Sequence, residues 1–264
     1  KKFKSIVTFH DFFPFYYRSL KYRFGKLFYL STKIIWKMSL LNDVIIANSS
    51  LTKLELIKKF GINEKRVKII LEGVDKKFKE KRVKKDKIVI GFFGNFSYRK
   101  RVDIAIEIFK KLQNKIDAEF IIAGGKIKSF YQRNFEIEKL VKGLKNFKII
   151  EKVDEKNIVN FYNYLDFMIF PSMIEGFGLP ILEAQACGTI VLIKENALIP
   201  KEVSKYAIKF RNAKDAVNKI LQLINDKEKW KDIKEKAKKY AKSFTWEKYV
   251  NELIKIYSEK NENR

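Results

Sequence analysis

This sequence is poor in the residues that build cross-links and metal centres. Cys187 is the only cysteine, so no disulfide can close within the chain, and a reducing compartment is the expected setting. His10 is the only histidine, and one imidazole with one thiol is too small a ligand set for a zinc site. No apolar run approaches the ~20 residues that a membrane-spanning helix needs. Acidic residues are outnumbered, 31 against 57 basic ones, which leaves a formal net charge of +26. The first residue is Lys1, not methionine, and it stands at the edge of a strand-like segment, so the true beginning of the chain is expected upstream.

What is present suffices for real cores. At 264 residues and 46% hydrophobic, the chain is one large domain or two small ones. The positive excess admits nucleic acid, an anionic membrane surface or an acidic substrate as partners. Its lysines are scattered at helical spacing, the mark of ordinary solvated surface. No recognisable RNA-binding strand carries interleaved aromatics, so no specific nucleic-acid partner is expected.

The chain is organised around FPSMIEGFGLPILEAQACGTIV, Phe170 to Val191. An apolar run ending at Phe170 reads as a buried parallel strand and Glu175 as part of the loop after it. Gly176-Phe177-Gly178 forms a turn, and Leu179-Pro180 opens a helix through Ala186, with proline in the first turn where its missing N–H costs nothing. Gly188 ends that helix and Thr189 to Ile193 is the next strand. The loop aims free N–H groups and a positive dipole end at whatever lies above it, an arrangement suited to phosphate. Glu175 and Glu183 bracket the turn. Read blandly, they are two surface glutamates at a solvated helix start.

Elsewhere the pattern alternates strand and helix. Ser5 to Phe9 is a strand that delivers His10-Asp11 to its C-terminal end. Phe12 to Leu41 is dense in aromatics and cations, and Gly25 interrupts its loose helical periodicity; it reads as a helix packed on a sheet or as a surface that dips into a lipid interface. Asp43 to Ala47 is a strand, Asn48-Ser49-Ser50 a capping cluster, Leu51 to Phe60 a helix, and Gly61 its C-cap. Val67 to Leu71 is a strand, and residues 76–86 form a charged linker. Strands at Lys87–Phe93, Ala118–Ala123, Phe147–Ile150 and Phe167–Phe170 alternate with helices, one of them at Phe135–Leu144. Order weakens after Ile193, and helices return at Ala213–Asn225, Lys227–Lys242 and from Thr245-Trp246 to Lys260. Such alternation predicts parallel sheets with right-handed crossovers. No repeat is visible.

The paired glutamates with seven residues between them, with PS before them, GFGLP inside the pair and ACGT after it, resemble the retaining glycosyltransferases of family 4. IVTFHD resembles a late strand of that family's N-terminal domain, EGVDKKF its interdomain turn, and FTWEKYVNELIKIY its final helix. The resemblance implies an α/β GT-B fold: two Rossmann-like parallel-sheet domains, the first incomplete, with the last helix crossing back. Its divisions would be an acceptor-side domain over 1–75, the linker 76–86, a donor-binding domain over 87–244 and the crossing helix over 245–264. The implied activity is transfer of a hexose, with retention, from a UDP- or GDP-sugar to a glycan, glycolipid or glycoprotein. No cofactor and no obligatory metal are implied. A nucleotide-sugar-binding fragment without transfer activity is the alternative. The setting implied is cytoplasmic, with peripheral contact at an anionic inner membrane face.

The resemblance also assigns residues. Glu183 would accept hydrogen bonds from the ribose and Glu175 from the donor sugar, with N–H groups of Gly176, Phe177, Gly178 and Leu179 beside them. In the loop from Gly94 to Arg101, Lys100 falls on the lysine that meets the diphosphate, with Arg99 next to it. Asn95 takes the place of the usual arginine, and Glu72 that of a usual asparagine. His10 would lie near the donor sugar, so Glu175, Lys100 and His10 form the implied catalytic set. The bland counterparts are a basic helix start at YRKR, which opposes the helix dipole, and a histidine capping a strand end.

Overall fold

The computed structural model describes residues 5–16, 25–126 and 134–258. They form two wholly parallel sheets. The smaller has β1 (Ile6–Phe9), β2 (Val44–Ala47) and β3 (Val67–Ile69) in that order, with Ile6 opposite Val44 and Ile45 opposite Val67. The larger contains β4 (Ile88–Phe93), β5 (Ala118–Ala123), β6 (Phe147–Ile150), β7 (Phe167–Phe170), β8 (Ile190–Lys194) and β9 (Ile208–Phe210), in the spatial order β6-β5-β4-β7-β8-β9. This is the doubly wound order, which reverses direction between β4 and β7 and opens a crevice there at the strands' C-terminal ends.

The central strands are covered on both faces, which is why they read as unbroken apolar runs: every residue of β7 is buried, and so are four of the five in β8. One face packs Phe109, Phe120, Phe167 and Phe210 under α3 (Val102–Leu112) and α8 (Ala213–Asn225). The other packs Tyr162, Met168, Phe170 and Leu182 under α5 (Ile158–Tyr164) and α6 (Leu179–Ala186). After α9 (Lys227–Ala241), α10 (Trp246–Ser258) returns to the small sheet, where Ile256 is buried with Val44, Ile46 and Ile70. The Val74 N–H donates to Phe244 O at 3.0 Å and ties the two ends of that crossing together.

Residues 76–86 carry no regular element, yet they are strapped to the large sheet's helices. Glu80 pairs with Lys234 and Lys238, the Lys81 N–H donates to Asn163 Oδ1, and Lys85 pairs with Asp166 at 2.7 Å. In the small unit, α2 (Ser50–Phe60) is capped by Ser49 and ended by Gly61 at φ 66°, as the sequence predicts.

Two expectations change. The helix at Phe135–Leu144 shrinks to α4 (Ile137–Leu140): its N-cap, Glu136, makes no capping bond, and Gly143 at φ 78° belongs to no right-handed helix. Helix α1 covers Gly25–Ser39 and Phe13–Tyr16 forms a short 3-10 turn, while positions 17–24, and with them the expected interruption at Gly25, lie outside the described residues. After Ile193 a short helix, α7 (Lys201–Ser204), and the edge strand β9 appear; with three residues, and Lys209 exposed, β9 has too little pattern to show in the sequence. The final helix ends at Ser258, and the expected extension to Lys260 lies outside the described residues.

Candidate active site

Two loops meet above the β4–β7 crevice. The loop after β4 begins at Gly94 and tightens into a turn in which Asn95 Oδ1 accepts from both the N–H and the hydroxyl of Ser97. That turn brings Arg99 and Lys100 round to face the loop after β7. The Met173 N–H donates to Arg99 O at 2.9 Å, and Arg99 Nη1 donates to Ile174 O at 3.0 Å, so one backbone bond and one side-chain bond tie the two loops together.

The charges then converge on one atom. Glu175 Oε1 accepts from Lys100 Nζ at 2.7 Å, from Arg99 Nη1 at 2.9 Å and from the Ser172 hydroxyl. Glu175, Arg99 and Lys100 are 7–8% exposed, so the triad is nearly closed to solvent. Burial pushes the Glu175 carboxyl up, but Lys100 and Arg99, with the bonds from Lys100 and Ser172, overcome it and hold the carboxyl below its ordinary value. Burial lowers Lys100, and the like charge of Arg99 adds to that against the pull of Glu175. Two cations against one carboxylate leave a positive charge at the crevice. Asp11 offsets it only when ionised, and burial raises its carboxyl against the Phe13 N–H and Arg99. Phe13, from the small unit, covers the Arg99 guanidinium at 4.0 Å from its ring centroid.

The turn at Gly176 is the contact between the two sheets. A Cβ there would lie 1.9 Å from His10 O, so only glycine allows the approach, and Ser49 Oγ donates to Gly176 O at 3.0 Å. Gly178, at φ 105°, is the N-cap of α6 and lets the chain turn sharply into it. Phe177 points away from the crevice into the core beside Phe244, so only its backbone is available to a ligand.

Glu183, one turn into α6, faces a separate hollow of about 360 Å³ lined by Gly73, Asp75, Lys77, Leu179 and Trp246 among others, a size in the range of small-molecule sites. Its Oε2 accepts from the buried Tyr162 hydroxyl at 3.0 Å. Burial raises the Glu183 carboxyl; the bond from Tyr162 and the charge of Lys77 oppose that, and Asp75 reinforces it. His10, exposed just after β1, places Nδ1 3.1 Å from Glu72 Oε1.

The pattern that defines the glycosyl transferases group 1 matches residues 73–240, and that of glycosyltransferase family 4 matches residues 1–78. The chain belongs to the glycosyl transferases group 1 family. Among similar curated proteins, an uncharacterized glycosyltransferase of Methanocaldococcus jannaschii is 30% identical over 64% of this chain. An uncharacterized 41.2 kDa protein in the cps region of Klebsiella pneumoniae is 27% identical over 97% of it, and a D-inositol 3-phosphate glycosyltransferase of Salinispora tropica 22% identical over 82%. The chain spans 47%, 71% and 51% of the lengths of these three. Solved structures with the same fold include sucrose-phosphate synthase from Thermosynechococcus elongatus, with a TM-score of 0.75 at 18% identity over 96% of this chain and 66% of that one. Anabaena HepE in complex with UDP and glucose has a TM-score of 0.72 at 17% identity, over 96% and 71% of the two chains. The fold is GT-B.

Within this glycosyl transferases group 1 chain, the structure brings Gly94, Arg99, Lys100 and Glu175 together at the crevice, with Gly176 against His10. Asn95 spends its side-chain oxygen on its own loop, which is a turn-forming role. Sequence reasoning missed Ser172, Asp11, Glu72 and Tyr162 as partners of the site. Ser172 was legible as the serine of the PS pair, three residues before Glu175. Tyr162 carried no signal, because an apolar helix face and a carboxylate partner look alike in a row of letters.

Proposed function

We propose that the large sheet binds a nucleotide-diphosphate sugar, and that the chain belongs to an enzyme that transfers the hexose with retention to a glycan, glycolipid or glycoprotein. The observation that carries this reading is the convergence of Arg99 and Lys100 on Glu175 at the switch point of a doubly wound sheet, where such folds take nucleotides. The paired cations Arg99 and Lys100 suit a departing diphosphate, a task a GT-B site does with side chains and helix ends and without an obligatory metal. Glu183 accepts from the ribose in the adjoining hollow, and Glu175 from the sugar. As the sugar C1–O bond to phosphate breaks, the acceptor oxygen bonds to C1 on the same face and gives its proton to the phosphate oxygen. The protein's part is to position the partners and stabilise the leaving group.

A membrane-proximal acceptor accords with α1. Its Leu30, Ile34, Ile35 and Met38 are exposed, as is Leu41 just beyond its end; the helix carries no acidic residue, and Lys33 and Lys37 sit among these side chains. No helix among the described residues is long and apolar enough to cross a membrane.

The deciding experiment is a thermal-shift screen against UDP-, GDP-, ADP- and TDP-sugars, since a ligand that binds only the folded chain raises its apparent stability. A rise with one base is expected, and no rise with any of them sinks the reading. Measuring sugar transfer beside binding then separates an active enzyme from a binding fragment.

A further inference from the structure

His10 is the sole histidine, and its hydrogen bonding is asymmetric. Its Nδ1 lies 3.1 Å from Glu72 Oε1, while the residue as a whole is exposed and Glu72 is shielded, their side chains being 64% and 12% accessible. The same Oε1 accepts from Asn48 Nδ2 at 3.1 Å. The Asn48 amide is itself fixed: its Nδ2 donates to His10 O at 3.0 Å and its Oδ1 accepts from the Thr52 hydroxyl at 2.9 Å. Glu72 therefore receives an N–H from one side and, as a carboxylate, has only acceptors to offer the other. A ring protonated on Nδ1 satisfies that side.

We propose that Glu72 is a positioning residue that holds His10 in the Nδ1–H form, so that Nε2 is the nitrogen left to accept a hydroxyl of the donor sugar. This rests on the proposed function. An unrestrained neutral imidazole shares its proton between the two nitrogens, and one in the Nε2–H form presents a donor where the sugar also presents donors. The His10 carbonyl sits against Gly176, so the ring leaves the chain beside the turn that follows Glu175. An asparagine at position 72 would end one methylene short of where Oε1 now stands, so the longer glutamate is what spans the gap to both partners.

A single histidine makes the test clean. Long-range 1H–15N correlation spectra of the whole chain, recorded where the ring is neutral, should show Nδ1 as the protonated nitrogen. In Glu72→Ala the proton should move predominantly to Nε2. Glu72→Gln, whose carboxamide oxygen can accept in the same place, should restore the original form. With a nucleotide sugar that the screen identifies, kcat of Glu72→Ala should fall about tenfold, the worth of one well-placed hydrogen bond, with KM changed far less. A wild-type ring protonated on Nε2, or a proton that stays on Nδ1 in Glu72→Ala, overturns the proposal. An Nδ1–H ring in a chain that binds no nucleotide sugar overturns the function and the sugar contact together, and leaves only the hydrogen bond.

Discussion

Lys100 and Glu175 stand 75 residues apart in sequence, and their charged atoms meet at 2.7 Å in the crevice between β4 and β7. The pair is buried, so its members depend on one another. Removing one partner of a buried ion pair costs about 3–5 kcal/mol, because the other charge is left without compensation. In Lys100→Ala the bond from Arg99 persists, so the stability loss should fall at or below the low end of that range, read from denaturant unfolding. Activity should suffer more, about 10²-fold or beyond in kcat, since a cation aimed at the leaving diphosphate is gone.

The two glutamates should divide their labour. A ribose contact exists equally in the bound donor and in the transition state, so Glu183→Ala should raise the donor KM and weaken binding of the bare nucleoside diphosphate by about tenfold or more. If Glu175 accepts from the sugar, as proposed, Glu175→Gln should lower kcat while the bare nucleotide still binds. Glutamine is the better probe than alanine, because Oε1 also anchors Arg99, Lys100 and Ser172. Calorimetry with the nucleotide beside steady-state rates reads both effects, and the reverse pattern would show the roles exchanged.

Acidification should act on these carboxylates in order. Burial raises Glu183, so it takes up its proton first as pH falls, and nucleotide affinity should decline while the fold holds. The folded-state pKa of Glu175 is depressed, so its contribution to stability is complete above the unfolded value of about 4.3 and is lost as pH falls through the lower folded value. Glu183 has the opposite sign: its contribution is present below the unfolded value and lost as pH rises through the raised folded one. Glu183→Gln should therefore raise the Tm of the free chain at neutral pH and flatten the pH dependence of nucleotide binding.

Gly176→Ala should damage the contact between the sheets. Its Cβ would meet a carbonyl oxygen at 1.9 Å, and backbone cannot yield as a flexible side chain does. Overpacking of this kind costs about 1–3 kcal/mol. Ser49→Ala loses both an N-cap and the bond to Gly176 O, with a cost of about 1 kcal/mol from the cap. Thermal unfolding of each variant reads the difference.

The exposed face of α1 predicts salt-sensitive sedimentation with anionic liposomes. Ile34→Lys together with Met38→Lys should reduce it, since charge attraction persists while apolar insertion is lost. No sedimentation of the unaltered chain at low salt, where attraction is strongest, removes the membrane from the reading.

The sequence alone determined what is local. The apolar run of β7, Gly178 at the N-cap of α6, Pro180 in the first turn of that helix and the capping of α2 by Ser49 and Gly61 each follow from contacts within a few residues, and periodicity and turn chemistry report those contacts directly. Only the tertiary structure decided the rest: that Arg99 and Lys100 spend their charge on Glu175, that Tyr162 braces Glu183, and that Glu72 Oε1 meets His10 Nδ1. Each of these pairs joins segments separated by 21 to 76 residues. No spacing in the chain encodes such a distance. It is set by the winding of the large sheet and, for His10 and Glu72, by β1 and β3 flanking β2 in the small one.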